Sequence, residues 1–270
     1  MSSILNGDTI NKKRFENMKN IKNFPKIETA IILAGGRGKR MINFSVLPDA
    51  LRKQNFDLEK MHKSMVPVAG KPLLEHTLLW LKKWGIKKIV FGVGYQKESI
   101  INYFKDGKKW GVKIIYTEHN PEGGTADALK EDIEKSKIND NYFFVTNADQ
   151  LTSFPLKKLV EVCFSGKNLP IATVGLVYPT FPFGKVEWDP KTQMIINFKE
   201  KPVIKTPTNA GIYLFSKEIK SYLKGDLEKY TFPILVKKNK IKGYLYEGFW
   251  DTINTIKDWE RINNQLNSQL

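Results

Sequence analysis

The sequence contains few of the residues that form disulfides or zinc sites. Cys163 is the only cysteine among 270 residues, so no disulfide can form within the chain. The three histidines, His62, His76 and His119, lack the spacing of zinc ligands. A metal ion bound to this chain is therefore expected to be a hard cation held by oxygen atoms.

Long apolar runs are also missing. No stretch approaches the roughly 18 to 20 apolar residues of a membrane span, and Met1 to Pro25 is polar, without the apolar core of a signal sequence. These absences predict a cytoplasmic protein without a membrane partner. They also predict that residues 1–26 form a polar extension outside the folded core.

Positive charge is abundant, with a formal net charge of +16, but it is not concentrated in one place. Lysines occur in nearly every segment, and the chain has neither a basic arm nor an aromatic RNA-binding stretch. The distribution predicts no dedicated nucleic-acid binding. It suits a small polyanionic substrate such as a nucleoside triphosphate.

Strands and helices alternate through the first half of the chain. The hydrophobic pattern predicts strands at 29–33, 88–93, 112–116 and 142–145, and helices at 73–84, 97–104, 125–135 and 156–164. This order is typical of the α/β class, as a doubly wound, mostly parallel, Rossmann-like sheet flanked by helices. Ligands of such sheets bind at the carboxyl ends of the strands.

The second half has a different pattern. Strands are predicted at 171–177, 185–188, 194–198, 211–215 and 242–246, and helical segments at 230–238 and 255–266. The pattern indicates a smaller antiparallel part. We therefore expect a single domain over 27–270, with one half at 27–165 and another at 166–270.

A glycine-rich loop with three cations follows the first strand. Residues 29–41 read TAIILAGGRGKRM, in which Gly35, Gly36 and Gly38 allow backbone N–H groups to approach an anion. Arg40 and its neighbours could bond phosphate oxygens. The spacing fits neither GxGxxG nor GxxxxGK[ST]. Taken alone, the loop could equally be a surface turn.

Further segments in a fixed order give this loop a context. From Ile27 to Leu266 the chain resembles the sugar-1-phosphate nucleotidylyltransferases. The segments that carry the likeness are LAGGRGKRM (33–41), KSMVPVAGKP (63–72), EGGTADAL (122–129), NADQL (147–151), FGKV (183–186), FKEKP (198–202) and NAGIY (209–213).

The resemblance assigns the triphosphate half of the site. It implies catalytic roles for Arg40, Lys63 and Asp149, in which Lys63 stabilises charge on the α-phosphate and pyrophosphate. The implied nucleotide-binding residues are Leu33, Ala34, Gly35, Gly36, Gly38, Arg40, Lys63, Gly124, Thr125 and Asn147. Local structure offers another role for Thr125 and for Asp149, since each could instead be the N-cap of a helix.

The same resemblance assigns a sugar-phosphate half. It implies that Gly184, Glu200, Lys201, Asn209 and Gly211 bind the sugar phosphate. In this family Glu contacts sugar hydroxyls and Lys holds the phosphate. Gly184, Asn209 and Gly211 would lie beside the sugar.

The metal site is where the chain departs from the family. The family implies Mg²⁺ on Asp149 and on a second aspartate in a pattern like W-x-D. Here EGFWDTINT (247–255) puts Thr252 at that position in an ungapped alignment. We favour Asp251 as the second ligand, with Asn254 as an alternative oxygen donor. The alternative interpretation is structural: Asp251 would be a negative charge at the N-terminus of the helix that follows it.

These expectations define one reaction and two alternatives. The predicted enzyme transfers NMP from a nucleoside triphosphate to a sugar 1-phosphate, with Mg²⁺, and could form a homo-oligomer. The alternatives are a cytidylyltransferase that acts on a phosphonate or a phosphorylated non-sugar alcohol, and a non-catalytic nucleotide-sugar sensor. The segment between Arg40 and Lys63 is longer than the resemblance leads us to expect, and its role stays open.

Overall fold

The computed structural model describes residues 24–36, 51, 57, 60–119 and 123–267. Thirteen strands lie within these ranges: β1 (Thr29–Ala34), β2 (Pro67–Val68), β3 (Lys71–Pro72), β4 (Lys88–Val93), β5 (Lys113–Glu118), β6 (Tyr142–Asn147), β7 (Gln150–Thr152), β8 (Ala172–Val177), β9 (Lys185–Trp188), β10 (Ile195–Lys199), β11 (Thr208–Ser216), β12 (Ile241–Tyr246) and β13 (Trp250–Thr252).

Six α-helices occur in the same described ranges. They are α1 (Leu73–Lys83), α2 (Lys97–Phe104), α3 (Thr125–Ser136), α4 (Leu156–Cys163), α5 (Phe232–Lys237) and α6 (Ile256–Asn267). A π-helical turn at Leu227–Thr231 leads into α5. Among the described residues, no helix has both the length and the hydrophobicity that crossing a membrane requires.

Seven strands form one mixed sheet in the order β12-β8-β11-β6-β1-β4-β5. β6, β1, β4 and β5 are parallel neighbours, and β12 is parallel to β8. β11 runs against both β6 and β8, so it is the one strand of opposite direction. The carboxyl ends of the other six strands therefore meet at one edge of the sheet.

Apolar side chains cover both faces of this sheet, which is why its central strands are nearly continuous apolar runs. In β1 the fully buried Ile32 packs with α1, α2 and α4 in one core cluster. Its neighbour Ile31 points to the opposite face and joins the cluster of α3 and α5. The doubly wound α/β fold predicted from the sequence is confirmed.

Most predicted elements are confirmed within one or two residues, and β4, α2 and β9 have the predicted bounds. The pattern missed two short pairs, β2 with β3 and β7 with β13. Strands of two or three residues are too short to show a period of two. Ala69 and Gly70, both at positive φ, form the two-residue turn between β2 and β3.

Helix α6 closes the fold against this hairpin. The indole of Trp259 is buried, and its Nε1–H donates to the carbonyl of Pro67 at 2.6 Å. The backbone N–H of Ala69 donates to Oδ1 of Asn263 at 2.9 Å. These contacts hold the segment that begins at Lys63 in place.

Candidate active site

A cavity of about 250 Å³ opens at the carboxyl ends of β1, β5 and β6. It is lined by Leu33, Ala34, Gly35, Gly36, His62, Lys63, His119, Gly123, Gly124, Thr125, Ala128, Asn147, Ala148 and Asp149. All eight predicted nucleotide-binding residues that the structure describes are among them. The cavity lies where a doubly wound sheet normally binds its ligands.

An ion pair lies at one end of this cavity. Nζ of Lys63 donates to Oδ2 of Asp149 at 2.5 Å, although 86 residues separate them in the chain. Lys63 begins a short 3₁₀ turn, and Asp149 follows β6. Asp149 is therefore not at the start of a helix, and the N-cap interpretation is wrong. Among the described residues that line the cavity, Lys63 and Asp149 form a cation and an anion in direct contact.

His62 fixes the position of Lys63. Its backbone N–H donates to Oγ of Ser99, and its Nδ1 accepts from the backbone N–H of Ser64 at 3.3 Å. With Nδ1 as the acceptor, Nε2 carries the proton of the neutral ring and donates to the carbonyl of Gly36 at 3.1 Å. Burial lowers the pKa of His62 to about 4. The neutral ring thus ties the Lys63 turn to the first glycine loop.

A second histidine packs beneath the same loop. A Cβ atom placed on Gly35 would lie 1.9 Å from Nε2 of His119, so only glycine leaves room for this ring. Nδ1 of His119 and the hydroxyl of Thr117 both donate to Oδ1 of Asp132, at 3.2 and 2.7 Å. Asp132 is fully buried, and a Cβ on Gly92 would clash with its carboxylate.

The start of α3 forms the far wall of the cavity. Gly124, at the N-cap position, packs so closely on the carbonyl of Gly225 that an added Cβ would lie 2.2 Å from it. Thr125 Oγ1 accepts from the N–H of Leu227 and donates to Oε2 of Glu228. Because the N-cap residue is Gly124, the N-cap interpretation of Thr125 is wrong. Asp127 accepts from the N–H of Gly225 at 2.9 Å. These contacts bind α3 to the second half of the chain.

One residue assigned to the sugar phosphate, Gly211, lies against Asn147 of the cavity lining, and a second, Asn209, is bonded to Gly211. Gly211 has a φ of +67°, and an added Cβ would lie 2.5 Å from Nδ2 of Asn147. Asn209 accepts from the N–H of Gly211 at 2.9 Å and donates to the hydroxyl of Tyr213. The two halves of the predicted site therefore meet at the Asn147 side chain.

The other three sugar-phosphate residues lie apart from the cavity lining. Gly184 and Glu200 are neighbours at the ends of β9 and β10, since a Cβ on Gly184 would lie 3.2 Å from Oε2 of Glu200. Lys201 has a φ of +44°. The structure brings Gly184 and Glu200 together and does not place these three residues against Lys63 or Asp149.

Asp251 has a different partner from the one expected. Both of its carboxylate oxygens accept from the guanidinium of Arg261, as a bidentate pair. Asp251 lies in β13, opposite Leu151 of β7, and α6 begins five residues later. The interpretation of Asp251 as a helix N-terminal charge is therefore wrong. Asp251 is not among the described residues that line the cavity.

Comparison with known proteins connects this geometry to a family. The sequence profile described as "Nucleotidyl transferase" matches residues 29–268. The chain belongs to this nucleotidyl transferase family. The resemblance seen in the sequence is thereby confirmed.

Curated relatives of the chain include mannose-1-phosphate guanyltransferase of Saccharomyces cerevisiae, 29% identical over 238 residues. The catalytic subunit beta of mannose-1-phosphate guanylyltransferase from Drosophila melanogaster is 30% identical over 237 residues. Each alignment covers 85% of this chain, but only 62% and 60% of the respective relative. The chain thus spans about three fifths of their length.

Solved structures share the fold at lower identity. HddC from Yersinia pseudotuberculosis, complexed with GMP-PN, superposes with a TM-score of 0.64 at 21% identity, covering 89% of this chain and all of HddC. A putative glucose-1-phosphate thymidylyltransferase from Bacillus anthracis gives 0.63 at 23% identity, covering 88% of this chain and 94% of that chain. These matches support the Rossmann-like fold.

Sequence reasoning missed both cavity histidines, His62 and His119, because it tested them only for zinc spacing. His62 could have been noticed from its position beside Lys63. The contact of His119 with Gly35 leaves no sequence signal, since 84 residues separate them. Gly38 and Arg40, like most of residues 41–62, lie outside the described residues, so their assignments stay predictions.

Alanine at Gly35 tests the packing of the loop on His119. The added Cβ must displace the buried ring, and we expect Gly35→Ala to destabilise the protein by about 1–3 kcal/mol in denaturant unfolding. Gly36→Ala is the matched control, because nothing lies within 4 Å of its added Cβ. Equal stability of the two variants would contradict the packing.

The buried neutral His62 predicts a pH effect on stability. Between pH 6.5 and about 4 the unfolded state binds a proton that the folded ring does not, so stability falls as pH falls. The contribution reaches about 3 kcal/mol at the acidic end. His62→Asn should flatten this part of the pH profile of unfolding free energy. An unchanged slope in the variant would contradict the assignment.

Proposed function

We propose that the chain transfers NMP from a nucleoside triphosphate to a sugar 1-phosphate and releases pyrophosphate. The observation that carries this proposal is the Lys63–Asp149 pair in a glycine-lined cavity at the strand ends. An oxygen of the sugar phosphate attacks the α-phosphorus, and the bond from that phosphorus to the pyrophosphate oxygen breaks. The chain needs no covalent nucleophile for this reaction.

The main barrier is electrostatic, because two anions must come within bonding distance. Lys63 would bond phosphate oxygens at one end of the cavity. The backbone N–H groups of Gly35 and Gly36 would lie along the triphosphate. The base would lie toward Gly124 and Thr125. Lys201 and Glu200 are proposed to hold the sugar phosphate and sugar hydroxyls, and Arg40 to bond the triphosphate.

The donor set near Asp149 fits a magnesium ion bound partly by substrate. Mg²⁺ commonly uses one or two protein carboxylates together with phosphate oxygens and water. Within the described part of the chain, no three His, Cys, Asp or Glu side chains are grouped to hold a metal alone. Asp149 is the proposed ligand, and the bound ion would neutralise charge on the phosphates and orient them.

Asp251 is a weaker candidate for the second ligand, given its bidentate bond to Arg261. To bind the ion, its carboxylate would have to leave the guanidinium. Thr252 and Asn254, which are linked by a 3.0 Å hydrogen bond, remain the alternative oxygen donors. This arrangement also motivates the second candidate function, a nucleotide-sugar sensor that binds without turnover.

A substrate panel separates these functions. Each nucleoside triphosphate is incubated with each of several hexose 1-phosphates and with inositol 1-phosphate, in the presence of Mg²⁺, and pyrophosphate is assayed. Because the curated relatives are named mannose-1-phosphate guanylyltransferases, we expect GTP with mannose 1-phosphate to be active. Nucleotide binding without pyrophosphate release in every combination would favour the sensor.

Lys63 provides the sharpest mutational test. Removing one positioned charge from such a site typically lowers the rate by roughly 10² to 10³. We expect Lys63→Ala to lose at least this much pyrophosphate release while remaining folded by circular dichroism. Lys83→Ala, on the exposed end of α1, is the matched control and should retain activity. Near-normal turnover of Lys63→Ala would refute the assignment.

A further inference from the structure

Strand β11 departs from regular pairing at the edge of the sheet where the candidate site lies. Its pairing with β6 begins at Ile212, opposite Thr146, and its register with β8 shifts over the same stretch. Ala210 and Gly211 therefore have no partner residue in the described ladders of β11. An irregularity of this kind is a bulge, and bulges beside a functional site redirect the chain there.

Side chains supply the hydrogen bonds that the ladder does not provide at this bulge. Nε1–H of Trp250 donates to the carbonyl of Ala210 at 3.0 Å, and Nε2 of Gln150 donates to the carbonyl of Gly211 at 3.3 Å. The N–H of Gly211 donates to the side chain of Asn209. Buried backbone groups need such partners. The position of the bulge is therefore set by side chains from other parts of the chain.

The amide of Gln150 is the centre of this network, and the residue is only 2% exposed. Its Oε1 accepts from Nε1–H of Trp250 at 3.0 Å, while its Nε2 donates to the hydroxyl of Thr146 as well as to Gly211. Because an indole N–H can only donate and a carbonyl can only accept, these partners fix which way the amide points. One side chain thus joins β6, β11 and β13.

Gln150 also connects the bulge to the triphosphate side of the site. It directly follows Asp149, begins β7 and is paired with Thr252 of β13. At the other end of the network, Gly211 lies so close to Asn147 that an added Cβ would be 2.5 Å from Nδ2. A movement of the bulge would therefore change the distance between the two proposed halves of the site.

Packing alone does not account for an amide at this buried position. A buried amide costs free energy unless its donors and acceptor are bonded, whereas an apolar side chain of the same length would fill the space without that cost. The bonds that Gln150 makes are directed at the bulge and at the indole that also holds it. This arrangement indicates a role in placing the bulge.

We infer that Gln150 is a positioning residue for the sugar phosphate, acting through the carbonyl of Gly211 and, with Trp250, through that of Ala210. The inference rests on the proposed function, in which Gly211 and Asn209 belong to the sugar-phosphate half. Gln150 is not among the described residues that line the nucleotide cavity. Loss of its amide should therefore weaken binding of the sugar phosphate and leave binding of the triphosphate nearly unchanged.

Two variants remove the network from opposite sides. Gln150→Met has nearly the same length and loses every bond of the amide, and Trp250→Phe loses the indole donor. The matched control is Thr77→Val, because the buried hydroxyl of Thr77 donates to the backbone carbonyl of Gln150 at 3.4 Å and not to its amide. All three full-length variants are first checked for folding by circular dichroism.

Calorimetric titration measures the affinity for each substrate separately, without turnover. The probes are GTP with Mg²⁺, and mannose 1-phosphate or glucose 1-phosphate, each with and without a non-hydrolysable GTP analogue. In Gln150→Met and Trp250→Phe we expect the Kd of the sugar phosphate to rise by roughly 10-fold or more, with the Kd of GTP nearly unchanged. Thr77→Val should match the wild type. Unchanged sugar-phosphate affinity in a folded network variant would overturn the inference, as would an equal loss for both substrates. Trp250→Phe keeps the test decisive if Gln150→Met does not fold.

The indole N–H signal of Trp250 in ¹H–¹⁵N NMR spectra gives an independent readout. The signal is identified by its absence in Trp250→Phe. We expect either sugar phosphate to shift this signal in the wild type, because the indole is bonded to the bulge. No shift with either compound, in the presence or absence of the analogue, would overturn the inference. A shift without pyrophosphate release in the substrate panel would refute the proposed reaction and leave the positioning role standing.

Discussion

The 2.5 Å contact between Lys63 and Asp149 is the interaction on which the candidate site depends. Both side chains are only 21% exposed, so each would be an inadequately solvated charge without the other. The pair also joins the Lys63 turn to the end of β6. The cavity is therefore lined by two charges that already compensate each other.

This pairing suits the proposed reaction because a metal-bound triphosphate offers each group a replacement partner. Phosphate oxygens can take the place of the carboxylate at Lys63, and the cation can take the place of the ammonium at Asp149. Such an exchange would keep both charges compensated. Substrate binding would then avoid most of the penalty of burying an isolated charge.

Glycines in this structure serve close packing as much as loop flexibility. Gly35 leaves room for His119, Gly92 for Asp132, and Gly211 for Asn147. The first two place a buried histidine and aspartate directly beneath the loop that follows β1. Because a protein interior is close-packed, each of these glycines can be enlarged only if the large side chain beside it moves.

The sequence predicted the fold well and the side-chain partners less well. Long elements such as β4 and α2 follow from hydrophobic period, and family motifs located Lys63 and Asp149. The hydrophobic period could not reveal that Arg261 binds Asp251, nor that Thr125 accepts a hydrogen bond from Leu227. Both pairs depend on how distant segments pack.

A crystal structure with Mg²⁺ and a non-hydrolysable nucleoside triphosphate tests the central claim most directly. The account predicts phosphates bonded to Nζ of Lys63 and lying along Gly35 and Gly36, the base beside Gly124, and a Lys63–Asp149 separation larger than in the free protein. Phosphates bound instead at Lys185 and Lys199, with the Lys63–Asp149 pair intact, would contradict it.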